Sequence, residues 1–194
     1  MPTLILVGDV NLMNVDDPAM PFRRVAEAFA GADLVFGNLE CLLYHPPEGH
    51  SVEQEGFFAD PAMAGEALRR GGFRAVGLAN NVNYGGAAIL GSIAQLDRLG
   101  IAHTGAGENL AAARAPAIVA CGGLRIGFVQ RSSVYWPTNH EAGPHSPGIA
   151  ALRGHTAYQV PAHKTRPEIP PMNRPGVPPI VVTWADRAYL ARFA

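Results

Sequence analysis

Thr3-Leu4-Ile5-Leu6-Val7-Gly8-Asp9 opens the chain with a short apolar run that halts at glycine and aspartate, and Leu34-Val35-Phe36-Gly37-Asn38-Leu39-Glu40 repeats the pattern. A continuous apolar run of this length suits a strand buried on both faces, so the first run is expected as a central parallel strand. Between the two, Phe22, Val25, Ala26 and Phe29 keep helical spacing over Pro21 to Ala30, and Gly31 stops the pattern. The alternation then continues. A helix is expected from Pro61 to Arg70, a strand from Ala75 to Leu78, and a helix over Gly85 to Leu99 with Ile89, Ile93, Leu96 and Leu99 on one stripe. Gly100 closes that helix and Ile101 to Thr104 follows as a short strand. Ala117 to Ala120 and Leu124 to Gln130, joined by Cys121-Gly122-Gly123, read as a hairpin.

Strand and helix alternating in this way predict an α/β fold: a mostly parallel sheet with helices on both faces. Residues 1–194 are expected as a single domain, with a regular α/β part over 1–130, an irregular Pro- and His-rich lid or loop over 131–179, and a strand with the start of a helix over 180–194. Because Leu190 and Phe193 have no later element to pack on, the domain is expected to be incomplete.

Composition narrows the functional classes. The 194 residues are 48% hydrophobic and 16% charged, with 15 basic against 16 acidic side chains and a net charge of −1. A chain of this size buries roughly 70% of its unfolded surface, enough for one core without disulfide or structural metal. Nucleic-acid binding is disfavoured, since no basic field exists and the densest cationic group is Arg69, Arg70 and Arg74. Cys41 and Cys121 fit no metal or redox spacing and read as buried apolar residues of a reducing compartment. The first residues carry neither a basic signal region nor a membrane-length apolar run, so a cytoplasmic chain without a membrane span is expected.

In sheets of this kind ligands bind beyond the carboxyl ends of the strands. Oxygen-bearing side chains fall there: Asp9 and Asn11 after the first strand, Asn38 and Glu40 after the second, Asn80, Asn81 and Asn83 after the third. Taken singly, each has an ordinary explanation as a cap or turn residue. Together they form a donor set for a hard or borderline divalent cation, which also relieves the repulsion between Asp9 and Glu40. Arg131 follows a further strand end, and Tyr158, Lys164 and Arg166, with Arg174, supply a candidate lid for an anionic substrate. His140, His145, His155 and His163 lack the spacing of a zinc motif and read as surface or hydrogen-bonded residues. Thr104-Gly105-Ala106-Gly107 is too incomplete for a nucleotide-binding loop, and no GxSxG elbow occurs.

Gly8-Asp9-Val10, Ala32 to Glu40, Gly72 to Asn81 and Gly100 to Asn109, in that order and spacing, resemble the bacterial capsule-synthesis CapA family, also named for poly-gamma-glutamate biosynthesis, over about residues 3 to 130. That family resembles the calcineurin-like metallophosphatases. The resemblance implies the N-terminal half of a four-layer α/β/β/α sandwich, with the other half missing from this chain. It implies one or two divalent ions, Mn, Fe, Zn or Mg, in a hydrolase-type site acting on an anionic small-molecule or polymer substrate. By residue, it implies that Asp9 is a ligand of the first metal, Asn11 a second residue of that loop, Glu40 a shared or second-metal ligand, and Asn81 a donor through its side-chain carbonyl. Asn83 stands as a substitute ligand, and Asn38, Asn80 and Arg131 as substrate contacts. Val82 occupies the place of the family's histidine and transfers no proton. The alternatives are a non-catalytic component of capsule or polymer synthesis and an inactive fragment. The resemblance also implies an association with the cell envelope.

Overall fold

In the computed structural model, residues 2–47, 57–135, 140–159 and 180–191 are described. They fall into two compact units, Met1–Ala151 and Leu152–Ala194. The first unit begins with β1 (Leu4–Val10), α1 (Ala26–Ala30), β2 (Leu34–Leu39), β3 (Leu42–Leu43), β4 (Phe58–Ala59), α2 (Pro61–Arg70) and β5 (Phe73–Gly77). It continues with α3 (Gly86–Leu99), β6 (Ala102–Thr104), β7 (Ala106–Gly107), α4 (Leu110–Arg114), β8 (Ala117–Cys121), β9 (Leu124–Phe128) and β10 (Gly148–Ile149). Four strands pair in parallel in the order β1-β2-β5-β6. The α/β architecture with a parallel sheet is the one the alternating sequence pattern predicts.

Position within the sheet differs from the expectation at β1, which lies at an edge rather than in the centre. Its apolar run is continuous, yet Leu6 is 65% exposed because one face of the strand is left uncovered. A local run cannot tell an edge from a centre; the neighbours decide. Helix α1 is also shorter than its periodicity predicts. Arg23 and Val25 donate to the carbonyls three residues back, so the segment enters through successive turns. Phe22 and Phe29 still reach the core, with ring centroids 5.1 and 5.9 Å from Phe73.

One face of the sheet packs against the helices. Val35, Leu39 and Val76 share a cluster with Leu68 of α2 and with Ile89 and Leu96 of α3. Asp60 starts α2 by accepting the Met63 N–H at 2.8 Å, with Pro61 in the first turn where its missing donor costs nothing. Glu66 binds both Arg69 and Arg70, which holds its carboxyl down at about 2 and keeps two of the densest cationic side chains within the helix's own surface. Helix α3 stops at Gly100, whose φ of +67° forms the left-handed cap expected there.

The opposite face carries the β8–β9 hairpin. Val119, Cys121, Ile126 and Phe128 pack on Leu34, Ala75 and Phe36, and the Phe36 and Phe128 rings stack at 4.4 Å. Gly122 and Gly123 both take positive φ, as a two-residue turn between right-twisted strands requires. Arg74 ties the layers together by donating to the carbonyls of Asp33 and Ala120.

In the second unit, β11 (Gly154–Gln159) and β12 (Ile180–Ala185) pair antiparallel, and α5 (Arg187–Leu190) follows. Asp186 caps α5 through the Tyr189 N–H and binds His155 Nε2 at 3.0 Å; these contacts lower its carboxyl, the backbone bond foremost. Strand β11 lies where no sustained period is evident, because Gly154-His155-Thr156-Ala157-Tyr158 has little apolar alternation to signal it. Among the described residues, no helix is long and apolar enough to cross a membrane.

The seal between sheet and hairpin yields a direct expectation. Leu34→Ala, at a position 1% exposed between the two layers, lowers unfolding free energy by about 3 kcal/mol in chemical denaturation.

Candidate functional site

Parallel pairing brings the strand ends to one edge in register: Asp9 beside Asn38, Asn38 beside Gly77, and Gly77 beside Thr104. Asp9 and Asn38 meet directly, with Asn38 Nδ2 donating to Asp9 Oδ1 at 2.5 Å. Beyond the hairpin, Gln130 continues the contact. Its Nε2 donates to Asn38 Oδ1 at 2.6 Å, and its Oε1 accepts the Ala79 N–H at 2.7 Å. A bonded chain therefore crosses the sheet edge from the β1 tip to the loop after β5. Asp9 Oδ2 has no partner among the described residues and the side chain is exposed.

Glu40 follows β2 by one residue. Its N–H donates to the Val10 carbonyl at 2.9 Å, so the backbone of the second tip is bound to that of the first. The half-buried Glu40 carboxylate has no hydrogen-bond partner among the described residues. Next to it, burial pushes the Cys41 thiol up to about 12, so it stays protonated at neutral pH and adds no thiolate.

The third tip divides its asparagines among different tasks. Asn80 is buried, and its Oδ1 accepts the Val82 N–H at 3.0 Å, an Asx turn. Asn81 is exposed. Asn83 is 0% exposed, and its Nδ2 donates to the carbonyls of Leu39 and Leu78 at 2.9 and 3.0 Å, linking the ends of β2 and β5. Its Oδ1 is buried with no partner among the described residues. Asn11, in the loop after β1, turns its Oδ1 to the Met13 N–H at 3.0 Å. A cavity of about 360 Å³ opens at the first tip and the loop after it, lined by Asp9, Asn11, Asp16, Asp17 and Phe22 among others.

Arg131 donates to the carbonyls of Gln130 and Arg114, which braces the loop behind the site. Tyr158 is exposed on β11 in the second unit, and Lys164 and Arg166 lie outside the described residues.

Two residues at this edge are absent from the expected ligands and substrate contacts. Gln130 was recognisable as a strand-end residue bordering the cleft, but its partners are 92 and 51 residues away and leave no local mark. His140 is fully buried, donates from Nε2 to the Asn80 carbonyl at 3.1 Å and lies against Tyr84. Burial lowers its pKa more than the Asn80 bond raises it, so the ring is neutral at pH 7. That matches the hydrogen-bonded reading of this histidine.

The donors available for a cation are therefore oxygens. Asp9 and Glu40 offer carboxylates and Asn83 an amide oxygen, all of a kind that suits a hard divalent ion. The orphaned Asn83 Oδ1 fits such a role, because a buried carbonyl without a partner costs on the order of 1–3 kcal/mol. Among the described residues, no group of three His, Cys, Asp or Glu side chains is gathered that could hold a metal ion.

Comparison with known proteins gives the chain's relatives. A family model described as bacterial capsule synthesis protein PGA_cap matches residues 3–181. Two curated proteins of Sinorhizobium fredii (strain NBRC 101917 / NGR234), y4sH and y4uA, both described as uncharacterized, are each 28% identical over 166 residues. Each match covers 78% of this chain and 36% of the relative. The chain thus spans about a third of the length of the curated relatives it matches.

The two bonds from Asn83 generate a prediction with a definite sign. Asn83→Asp replaces a donor by a carboxylate facing the Leu39 and Leu78 carbonyls, at a cost of roughly 3 kcal/mol at pH 7. The introduced carboxyl has a raised folded pKa, so stability is retained at low pH and lost as pH rises through that value. Unfolding midpoints from pH 4 to 8 should therefore converge on those of the parent at the acid end.

Proposed function

This chain belongs to the PGA_cap family of bacterial capsule synthesis proteins, and from that premise we propose that the carboxyl edge of its parallel sheet contributes half of a metal-dependent hydrolase site acting on an anionic substrate. The supporting observation is the row of strand tips. Asp9 is bonded to Asn38, Glu40 is bound through its backbone to Val10, and Asn83 bridges the ends of β2 and β5. Three oxygen-bearing residues are thereby tied to the strand ends, Asp9 and Asn83 through their side chains and Glu40 through its backbone.

Asp9, Glu40 and Asn83 would hold the ion, with Asn11 and Asn81 at the margin. Such an ion, when bound, supplies Lewis acidity toward a phosphoryl or acyl oxygen and lowers the pKa of a water molecule. The chain's own part is to bind and orient. Asp9 keeps one oxygen on Asn38 and the other open to the site. Glu40 brings a second negative charge, which disfavours an empty site and favours a cation.

A second reading has its own support. Val82 stands where the family resemblance expects a histidine, and its N–H is bound to Asn80. In a non-catalytic member of the polymer-synthesis machinery, the same tips would bind without turning substrate over.

Titration of the 194-residue chain with Mn²⁺ by calorimetry tests the binding part. Glu40→Ala should weaken the ion by at least about tenfold, equivalent to roughly 1.4 kcal/mol; unchanged affinity removes the assignment. Chelator-sensitive turnover of a simple phosphodiester by the same chain separates hydrolase from binding component.

A further inference from the structure

The geometry points to Gln130 as a positioning residue, one that sets the orientation of the Asn38 amide and thereby presents Asp9 Oδ2 to the site. A backbone N–H can only donate. The Ala79 N–H therefore fixes Oε1 as the inward atom of Gln130, which leaves Nε2 to face Asn38. Facing a donor, Asn38 must offer its oxygen, and its own Nδ2 then points at Asp9. The direction of each bond follows from the one before it. At the far end, Oδ1 is consumed by the amide and Oδ2 is open.

The backbone around Gln130 is built to seat it. A β-carbon at Gly77 would lie 2.2 Å from Gln130 Oε1, and one at Gly105 would lie 2.9 Å from the same atom. Two strand ends thus lack side chains where this amide rests. Two residues earlier, Phe128 at the end of β9 stacks on Phe36, two residues before Asn38, so the chain leaving the hairpin carries first the ring and then the amide to β2. The residue touches none of the proposed ligands except through Asn38, and its consequence for the cation rests on the metal-site reading above. The orientation of the amides does not.

The test uses the full 194-residue chain with two variants. Gln130→Met keeps length and neutrality and removes both bonds. Gln130→Glu keeps the acceptor for Ala79 but offers Asn38 only oxygens, which forces that amide over and sets its Oδ1 against Asp9. Without metal, Gln130→Met should speed hydrogen exchange of the Asn38 side-chain NH₂, read by ¹⁵N NMR, by about tenfold. Gln130→Glu should lower Tm by about 5 °C at pH 7.5, with the deficit closing on acidification as a carboxyl regains a proton to donate. With Mn²⁺, both variants should bind about 10- to 100-fold more weakly.

If Gln130 only fills the space over Gly77 and Gly105, Asn38 exchange in Gln130→Met matches the parent and the Gln130→Glu deficit is flat with pH; either result overturns the proposal. Should Gln130→Met not fold, the pH profile of Gln130→Glu decides alone. A parent chain that binds no Mn²⁺ defeats the metal reading, while the exchange and pH measurements still judge the orientation of the amides.

Discussion

Parallel strands end together, and that constraint governs most of what this molecule can do. Behind the edge, the inner strands are closed on both faces by apolar contact, Leu68, Ile89 and Leu96 on the helical side and Val119, Ile126 and Phe128 on the hairpin side, while β1 leaves Leu6 exposed. Burial of this kind is worth about 25 cal/mol per Å² and is lost where side chains turn polar. On β2 it takes in Leu34, Val35 and Leu39, while Asn38 between them turns its amide to Asp9 and Gln130. The polar tips are gathered because parallel pairing sets Asp9, Asn38 and Gly77 at the same level of the sheet.

Close approach is the second requirement. Gly37 has no room for a β-carbon, which would meet Phe73, Val7 and Val10 at 2.9–3.0 Å. Small residues at the strand ends let the layers draw together, and the amides of Asn38, Gln130 and Asn83 then find backbone or side-chain partners instead of water. A half-buried amide network is stable only when its members are satisfied in a consistent direction. Here the Ala79 donor sets the direction of the Gln130–Asn38–Asp9 chain, and the Leu39 and Leu78 acceptors separately set that of the Asn83 amide.

Much of the fold was legible because its determinants are local. The stripe of Ile89, Ile93 and Leu96 with Gly100 behind it specifies α3, and Gly122-Gly123 between two apolar runs specifies the hairpin. The identity of the strand tips was legible for the same reason. What escaped depends on distant neighbours. The first strand reads as central until the sheet order is known, and His140 looks like any loop histidine until Asn80 and Tyr84 enclose it. The division of labour among Asn80, Asn81 and Asn83 was likewise invisible, since an asparagine that turns the chain and one that bridges two strands have the same spelling.

The donor chemistry bears on what the family relationship means for this chain. Cys41 is held protonated by burial, and His140 is neutral with Nε2 committed to a carbonyl. Neither adds a soft or nitrogen donor, so the donors of the proposed site among the described residues are oxygens, those of Asp9, Glu40 and Asn83 with Asn11 and Asn81 at the margin. Oxygen donors in small number bind hard ions weakly and exchange them readily, whereas nitrogen and sulfur donors raise affinity for zinc and iron. This chain corresponds to about a third of its curated relatives, so a tight site would draw its remaining donors from outside the three strand tips. The strands would then supply orientation and negative charge, and affinity would depend on whatever completes the shell.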